Sequence, residues 1–395
     1  MSGPGELLRA SLDRERVTER LATLVRCPSE NPPGNEAEVA AIVADMCSDL
    51  GLEVSTHEAE PGRPSVVARW SQGDGPTLTY CSHIDVVPIG DAGLWERDPF
   101  AADVEGGRMH GRGTSDAKGP CAAAMEAVRL LKSAGARFEG TLELALVADE
   151  ETMGFKGAAY LVDEGIMRPD VAVVGEPTSL RVVRAQRGAA WYRIATRGVA
   201  GHGSAPERGV SAIKHMSQIV LSLEATLPDV HHDLLGGPTI SVGTIRGGEK
   251  VNIIPASCLI EVDRRTVPGE TEDSVTASIA AAVDLAKEMF PDIDAVIELE
   301  FYARPFEVPP DALLVKEAIE SVAEARGGGA EVIGFRGASD ARFIADTGAD
   351  VIVCGPGQIE LAHSAQESID LDELRDGALA YALLFSRMLS ASLEG

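Results

Sequence analysis

The sequence predicts an α/β fold: a larger domain with a largely parallel mixed sheet flanked by helices, interrupted by an inserted α+β, ferredoxin-like domain. Three observations predict it. The chain has 395 residues, too many for one ordinary core and enough for two domains. Short apolar runs alternate with helical periodicity at both ends, the pattern of strands and helices stacked in layers. The middle of the chain changes to longer, half-buried strands. The expected limits are 1–186 and 303–395 for the larger domain and 187–302 for the insertion.

In chain order, 14–26 and 36–50 carry apolar residues at helical spacing, joined by the loop 28-PSENPPGNE-36. Strand-like runs follow in 65-SVVARW-70 and 76-PTLTYCSHIDVVP-88, then a helical segment at 119–134. Further strands are expected at 141–148 and in 170-DVAVVG-175. In the insertion, 189-AAWYRIATRG-198, 238-PTISVGTIRGG-248 and 257-SCLIEVDRRT-266 read as strands, with helices at 209–226 and 271–290. Four strands and two helices in β-α-β-β-α-β order would make a small open-faced sandwich. Helix and strand alternate again from 311 to 393.

Composition narrows the function classes. With 62 acidic against 35 basic residues, the formal charge is −27; such a surface repels phosphate backbones, so no nucleic-acid partner is expected. The six cysteines form no C-x-x-C pair, which fits reduced thiols and neither a disulfide scaffold nor a thiolate metal site. No signal peptide or membrane span is visible, so no membrane association and a cytoplasmic location are expected.

The segment 141-TLELALVADEE-151 raises the chemical question. A buried strand that ends in three adjacent carboxylates should be uncomfortable, because like charges repel strongly in a low dielectric. In α/β sheets, function gathers beyond the carboxyl ends of the strands. Metal-competent residues sit there repeatedly: His83 and Asp85 after 77-TLTYCS-82, Asp116 in 110-HGRGTSDAKG-119, Asp149-Glu150-Glu151, Glu176, and His363 beyond 351-VIVCGPG-357. Any one of them alone is usually a solvated loop residue. Five independent segments all ending in ligand types is what points to a metal centre.

Two divalent cations would offset the charge. If they share Asp116, one also takes His83 and Glu176, the other Glu151 and His363. Three carboxylates and two neutral imidazoles then carry about −3 against +4, a Lewis-acidic centre able to hold hydroxide near neutral pH. Zinc suits such ligands, and cobalt or manganese would also be accepted. Glu150 remains beside the centre to take a proton from water and hand it on. Asp85 could accept the second imidazole N–H of His83 and fix its tautomer. His57, His110, His215, His231 and His232 lie in no such setting and read as structural or surface residues.

At these residues the sequence resembles the two-zinc amidohydrolase and metallopeptidase family of acetylornithine deacetylase, succinyl-diaminopimelate desuccinylase, aminoacylase and bacterial glutamate carboxypeptidase. The motifs run nearly end to end: 82-SHIDVVP-88, 111-GRGTSDAKG-119, 149-DEE-151, 174-VGEPT-178, 201-GHGSAPERG-209, 251-VNIIP-255, 263-DRRTVPG-269, 337-GASDARF-343 and 362-AHSAQE-367. The resemblance implies the same ligand set, Glu150 as general acid/base and Asp85 as the orienting carboxylate. It implies that the insertion is a lid and a homodimerisation surface. His202 would stabilise the oxyanion in a partner's site, and Asn252 and Arg265 would bind substrate, Arg265 by gripping a carboxylate with its forked donors. Arg342 is a second substrate-binding candidate or a structural ion-pair partner.

The implied reaction is removal of an acyl group from an N-acyl amino acid by a metal-activated water. The substrate signals are mixed. The stretch 174-VGEPTSLRVVRAQRG-188 looks most like the acetylornithine deacetylase branch, whereas 337-GASDARF-343 looks more like the desuccinylase branch, whose paired arginines are here Gln186-Arg187. An acetylornithine-like substrate comes first, a desuccinylase second, and a dipeptidase or carboxypeptidase third. A non-catalytic metal-binding protein would have no use for Glu150 or His202, and both are present.

Overall fold

The computed structural model describes residues 4–393. The chain divides into two compact units, Met1–Arg184 with Val308–Ile333 and Ser339–Gly395, and Ala185–Glu307 with Gly334–Ala338. The short segment at 334–338 joins the smaller unit through the bond from the Arg187 N–H to the Phe335 carbonyl, 3.0 Å; that pairing between residues distant in sequence left no mark in the pattern around 303.

In the larger unit, strands run across the sheet in the order Glu53–Glu58, Pro64–Gln72, Gly140–Val147, Thr77–His83, Val171–Val174, Asp350–Val353 and Val182–Gln186. The four strands from Gly140–Val147 to Asp350–Val353 are mutually parallel, while those flanking them are antiparallel. Register puts His83 opposite Val147, Cys81 opposite Val174, and Val174 opposite Val353. Four parallel strands therefore end along one edge, and each hands the chain to a loop there. Glu53–Glu58 and Val182–Gln186 were not expected as strands. The first is a largely exposed edge without a clear apolar face, and its identity rests on pairing with Pro64–Gln72.

The parallel strands are buried nearly throughout because helices cover them, and two polar residues they carry, Thr79 and Glu143, bond each other at 2.8 Å. The core joins Leu78, Tyr80, Leu142, Leu144 and Leu146 to the helices Arg14–Val25, Lys118–Ser133 and Leu371–Met388. The last of these starts sharply because the Asp370 carboxylate accepts the Asp372 and Glu373 N–H groups at 2.8 and 3.1 Å. Among the described residues no helix is long and apolar enough to cross a membrane, and the six cysteines are free and buried.

The smaller unit has a four-stranded antiparallel sheet in the order Thr239–Gly247, Ser257–Thr266, Gly188–Arg197, Asp294–Ala303. Two helices, Ala212–Leu223 and Glu272–Met289, pack with it through Met216, Ile219, Ile260, Val275 and Ile279. The chain order is β-α-β-β-α-β, with the fourth strand at Asp294–Ala303. Strand Ser257–Thr266 alternates buried and partly exposed positions along its length, which is why it reads so clearly in sequence. Helix Glu272–Met289 opens with a capping box in which Thr271 and Ser274 exchange side chain-to-backbone bonds.

Candidate metal and catalytic site

All five proposed ligands belong to the larger unit. His83 closes its strand at 1% exposure, and Asp116 lies just ahead of helix Lys118–Ser133. Glu150 and Glu151 open a short 3-10 turn after Gly140–Val147, Glu176 follows Val171–Val174, and His363 sits in the loop beyond Asp350–Val353 with φ of +60°. The register described above brings these strand ends to one edge.

Asp116 is the hub. Its Oδ1 lies 3.2 Å from His83 Nε2, which is also 3.9 Å from Glu176 Oε2. Its Oδ2 lies 3.2 Å from His363 Nε2, which is also 3.1 Å from Glu151 Oε2. The two oxygens of one carboxylate thus face two different His–carboxylate pairs. One donor atom each from His83, Asp116 and Glu151 falls within 4.8 Å of the others, close enough to surround an ion.

The charges on these groups follow from crowding. Burial and then the charge of Glu176 raise Glu150 well above the ordinary carboxyl range; Glu176 rises for the same leading reason, burial. Burial pushes Asp116 up as well, but hydrogen bonds from His363 and His83 override it and leave its carboxyl well below the usual range. Bonds to Asp116 and Glu151 raise His363 from 6.5 to about 10. This donor set fits divalent cations: two imidazole Nε2 atoms and three carboxylates form two groups that share Asp116, with N···O separations of 3.1–3.9 Å.

The three consecutive acids are accommodated in a way the sequence did not suggest. Asp149 takes a left-handed φ of +72° and turns away from the centre into an ion pair with Arg63, at 2.8 Å. Glu151 pairs with His363. Only Glu150 and Glu151 are left for the centre, so cations need to offset fewer charges there than the run of acids implied.

Asp85 makes more contacts than the one expected with the His83 ring. His83 Nδ1 lies 2.9 Å from the Asp85 backbone carbonyl and 3.6 Å from its carboxylate. The carbonyl is the closer acceptor and aims Nε2 at Asp116. The carboxylate instead accepts the Glu150 N–H at 3.2 Å, the Glu151 N–H at 3.1 Å and the Asn31 side-chain amide at 2.8 Å. The strand ends at His83, and the chain beyond it turns so that the Asp85 carbonyl meets the imidazole while the Ile84 carbonyl accepts the Ser29 hydroxyl at 2.7 Å.

Glu367 was quoted only as part of a motif. Its Oε1 accepts the Ser115 and Asp116 N–H groups at 3.1 and 3.2 Å, and Oε2 pairs with the buried Arg112. It therefore fixes the backbone from which the bridging carboxylate projects. No spacing rule marks such a residue, because its partners lie about 250 positions away.

The remaining candidates are distributed as follows. Arg342, in the larger unit, is buried; its guanidinium donates to the Met153 carbonyl at 2.5 Å and lies over the Phe343 ring at 4.5 Å. In the smaller unit, His202 is exposed, with Nδ1 2.7 Å from Ser204 Oγ. The Asn252 carbonyl accepts the Gly203 N–H at 2.9 Å, and His202 pairs with Ile253, the residue after Asn252, in a two-residue antiparallel bridge. Arg265 pairs with Asp263 at 3.0 Å.

Residues 80–387 match the profile of Peptidase family M20/M25/M40, and the chain belongs to that family. Among solved structures it is similar to aminopeptidase PepT from Bacillus cereus, with TM-score 0.81 and 23% identity over 95% of this chain and 99% of that one. It is also similar to an M20 family metallo-carboxypeptidase from Sulfolobus solfataricus, with TM-score 0.76 and 19% identity over 94% and 99%. A third, the YXEP protein of Bacillus subtilis, described as a dinuclear metal binding peptidase, gives TM-score 0.73 and 18% identity over 95% and 98%. At such identities the structural likenesses establish a shared fold.

Proposed function

We propose that the protein is a hydrolase of amide bonds in small N-acyl amino acids or short peptides, dependent on two divalent metal ions. The observation that carries this reading is the bridging geometry of Asp116, whose two oxygens face two separate His–carboxylate pairs at 3.2 Å each. His83 and Glu176 would hold one ion, Glu151 and His363 the other. Zinc suits this mixture of imidazole and carboxylate, and cobalt or manganese are the alternatives. When bound, such ions supply Lewis acidity towards the substrate carbonyl and towards water.

The chain's own residues do the rest. Glu150 accepts a proton from the attacking water and returns it to the amide nitrogen as the C–N bond breaks, so no net proton is consumed in the exchange. Its raised proton affinity, caused first by burial, suits a group that must both take and give a proton near neutral pH. Asp85 holds the backbone of Glu150 and Glu151, and the Asp85 carbonyl aims His83. His202 would donate to the oxyanion, and Asn252 and Arg265 would bind the substrate's polar ends. Arg342 is the less favoured substrate contact, because its guanidinium is engaged with Met153 and Phe343.

For the substrate, removal of an acyl group from an acetylornithine-like N-acyl amino acid is the first reading, with desuccinylation next. The peptidase descriptions of the similar structures favour a second reading, cleavage of a dipeptide or the terminal residue of a short peptide. A homodimer formed through the smaller unit belongs to the same reading. Thr239–Gly247 is an edge strand carrying the exposed Ile245, a surface suited to pairing with a second copy.

The test is a hydrolysis panel of N-acetylornithine, N-succinyl-diaminopimelate, N-acetyl amino acids, dipeptides and tripeptides, each with and without chelator. One chelator-sensitive substrate standing well above the others is expected, and its identity selects the reading. Full activity in chelator-treated, metal-free protein would refute the mechanism.

A further inference from the structure

The sharp turn that presents Glu150 is clamped by a buried ionic cluster. Glu36, Arg63 and Asp149 are all nearly inaccessible, at 0, 5 and 2% exposure. The Arg63 guanidinium reaches both carboxylates at once: Nε and Nη2 bond Glu36, the former at 3.0 Å, and Nη1 bonds Asp149 Oδ1 at 2.8 Å. Gly34 leaves room for this side chain, since a Cβ there would lie 2.4 Å from the guanidinium carbon.

Asp149 is the residue immediately before Glu150, and its φ of +72° lies in the left-handed region, which an aspartate takes up when its side chain is held by local bonds. Its carboxylate accepts from the Thr152 hydroxyl at 2.8 Å and from the Lys156 N–H at 3.0 Å. Its carbonyl accepts the Gly154 N–H at 2.7 Å. The turn from 149 to 156 is thereby closed on Asp149 from both ends. Asn31 ties it to the metal edge, with its amide 2.8 Å from Asp85 and 2.9 Å from the Thr152 hydroxyl.

We propose that the Glu36–Arg63–Asp149 cluster is a positioning device for Glu150: it holds Asp149 in the left-handed conformation and so fixes where the proton-transferring carboxyl sits. Arg63, Glu36 and Asp149 touch neither substrate nor metal on this reading; they act through Glu150. A bidentate guanidinium between two carboxylates has one geometry, and a proton-transferring group must stay within a few tenths of an ångström of its place to work. A surface arrangement of the same charges would stabilise little and fix nothing.

The inference rests on Glu150 being the general acid/base, so the experiment carries a control for that. Asp149→Asn, Arg63→Lys, Glu36→Gln and Glu150→Gln are prepared as full-length, metal-loaded proteins and assayed on whichever panel substrate the wild type cleaves fastest. Amide hydrogen exchange across residues 148–156 is followed in each. Asp149→Asn and Arg63→Lys should lower kcat by about 10²-fold, with KM and bound metal close to wild type. Exchange at the Glu150 amide should quicken at least tenfold while helix Lys118–Ser133 keeps its protection. Glu36→Gln, which leaves the Arg63–Asp149 bond in place, should show a smaller loss of the same kind.

A merely structural cluster predicts lower thermal stability with unchanged kcat in the folded protein, and that result would overturn the proposal. So would wild-type exchange at Glu150 in Asp149→Asn, whether or not a substrate has been found. If Glu150→Gln itself retains activity, the assignment of the base fails, and exchange alone then decides whether the cluster fixes the turn.

Discussion

Replacing Asp85 by asparagine separates two roles that the same carboxylate could play. The side chain is fully buried and accepts three N–H groups, from Asn31 at 2.8 Å, Glu151 at 3.1 Å and Glu150 at 3.2 Å. Asparagine keeps the shape but sets an NH2 against a donor on one side and a neutral oxygen on the other. Bonds to a charged acceptor contribute about 1.5–3 kcal/mol and neutral ones about 1, while an abandoned buried donor costs about 1–3. One donor abandoned and two bonds weakened amount to roughly 3–5 kcal/mol. For a unit of this size that corresponds to a fall in Tm of roughly 10 °C.

The His83 ring would keep its bond to the Asp85 backbone carbonyl, which the substitution does not touch. Asp85→Asn should therefore retain most of its metal, with affinity down about 10–100-fold through the loosened Glu151, and should lose kcat more steeply as Glu150 shifts. Differential scanning calorimetry, metal analysis and steady-state kinetics on metal-saturated protein measure the three quantities. A Tm within about 2 °C of wild type, with kcat within about twofold, would refute the reasoning, since donor mismatch in a dry site must cost more than that.

Other outcomes follow from the same geometry. In metal-depleted protein, His363, raised from 6.5 to about 10, contributes stability that is fully present below pH 6.5 and lost as pH rises towards 10, because the folded state then holds a proton the unfolded state has released. Thermal melts should show that downward slope, and His363→Gln or metal loading, which needs a neutral imidazole, should flatten it. Glu150→Gln should leave metal stoichiometry intact and reduce kcat by at least about 10²-fold, the scale of a lost general base, as read by inductively coupled plasma analysis beside kinetics. Gly157→Ala would bring a Cβ to 1.8 Å from the Ala148 carbonyl oxygen; the displaced turn should show as poor folding or a large fall in urea midpoint. Tyr381→Phe removes a 2.6 Å bond to the buried Cys354 carbonyl and should cost about 1–3 kcal/mol of stability, measurable by denaturant unfolding, with turnover unchanged.

Sequence alone determined the ingredients and their class. Short apolar runs marked the parallel strands because both their faces are buried, and alternation marked Ser257–Thr266 because one face is. Strand ends carrying His83, Glu151, Glu176 and, after a loop, His363 were legible because function in such sheets gathers at one edge, and the motifs around them tie the chain to its family. Tertiary structure decided which neighbours these groups meet. The turning of Asp149 towards Arg63 and Glu36, the engagement of the Asp85 carboxylate by Asn31 and two backbone amides, and the support of Asp116 by Glu367 all join segments tens to hundreds of residues apart. Periodicity records only which way a side chain faces within its own element. The partner that satisfies a buried charge is selected by packing between elements, and that selection leaves no local trace in the chain.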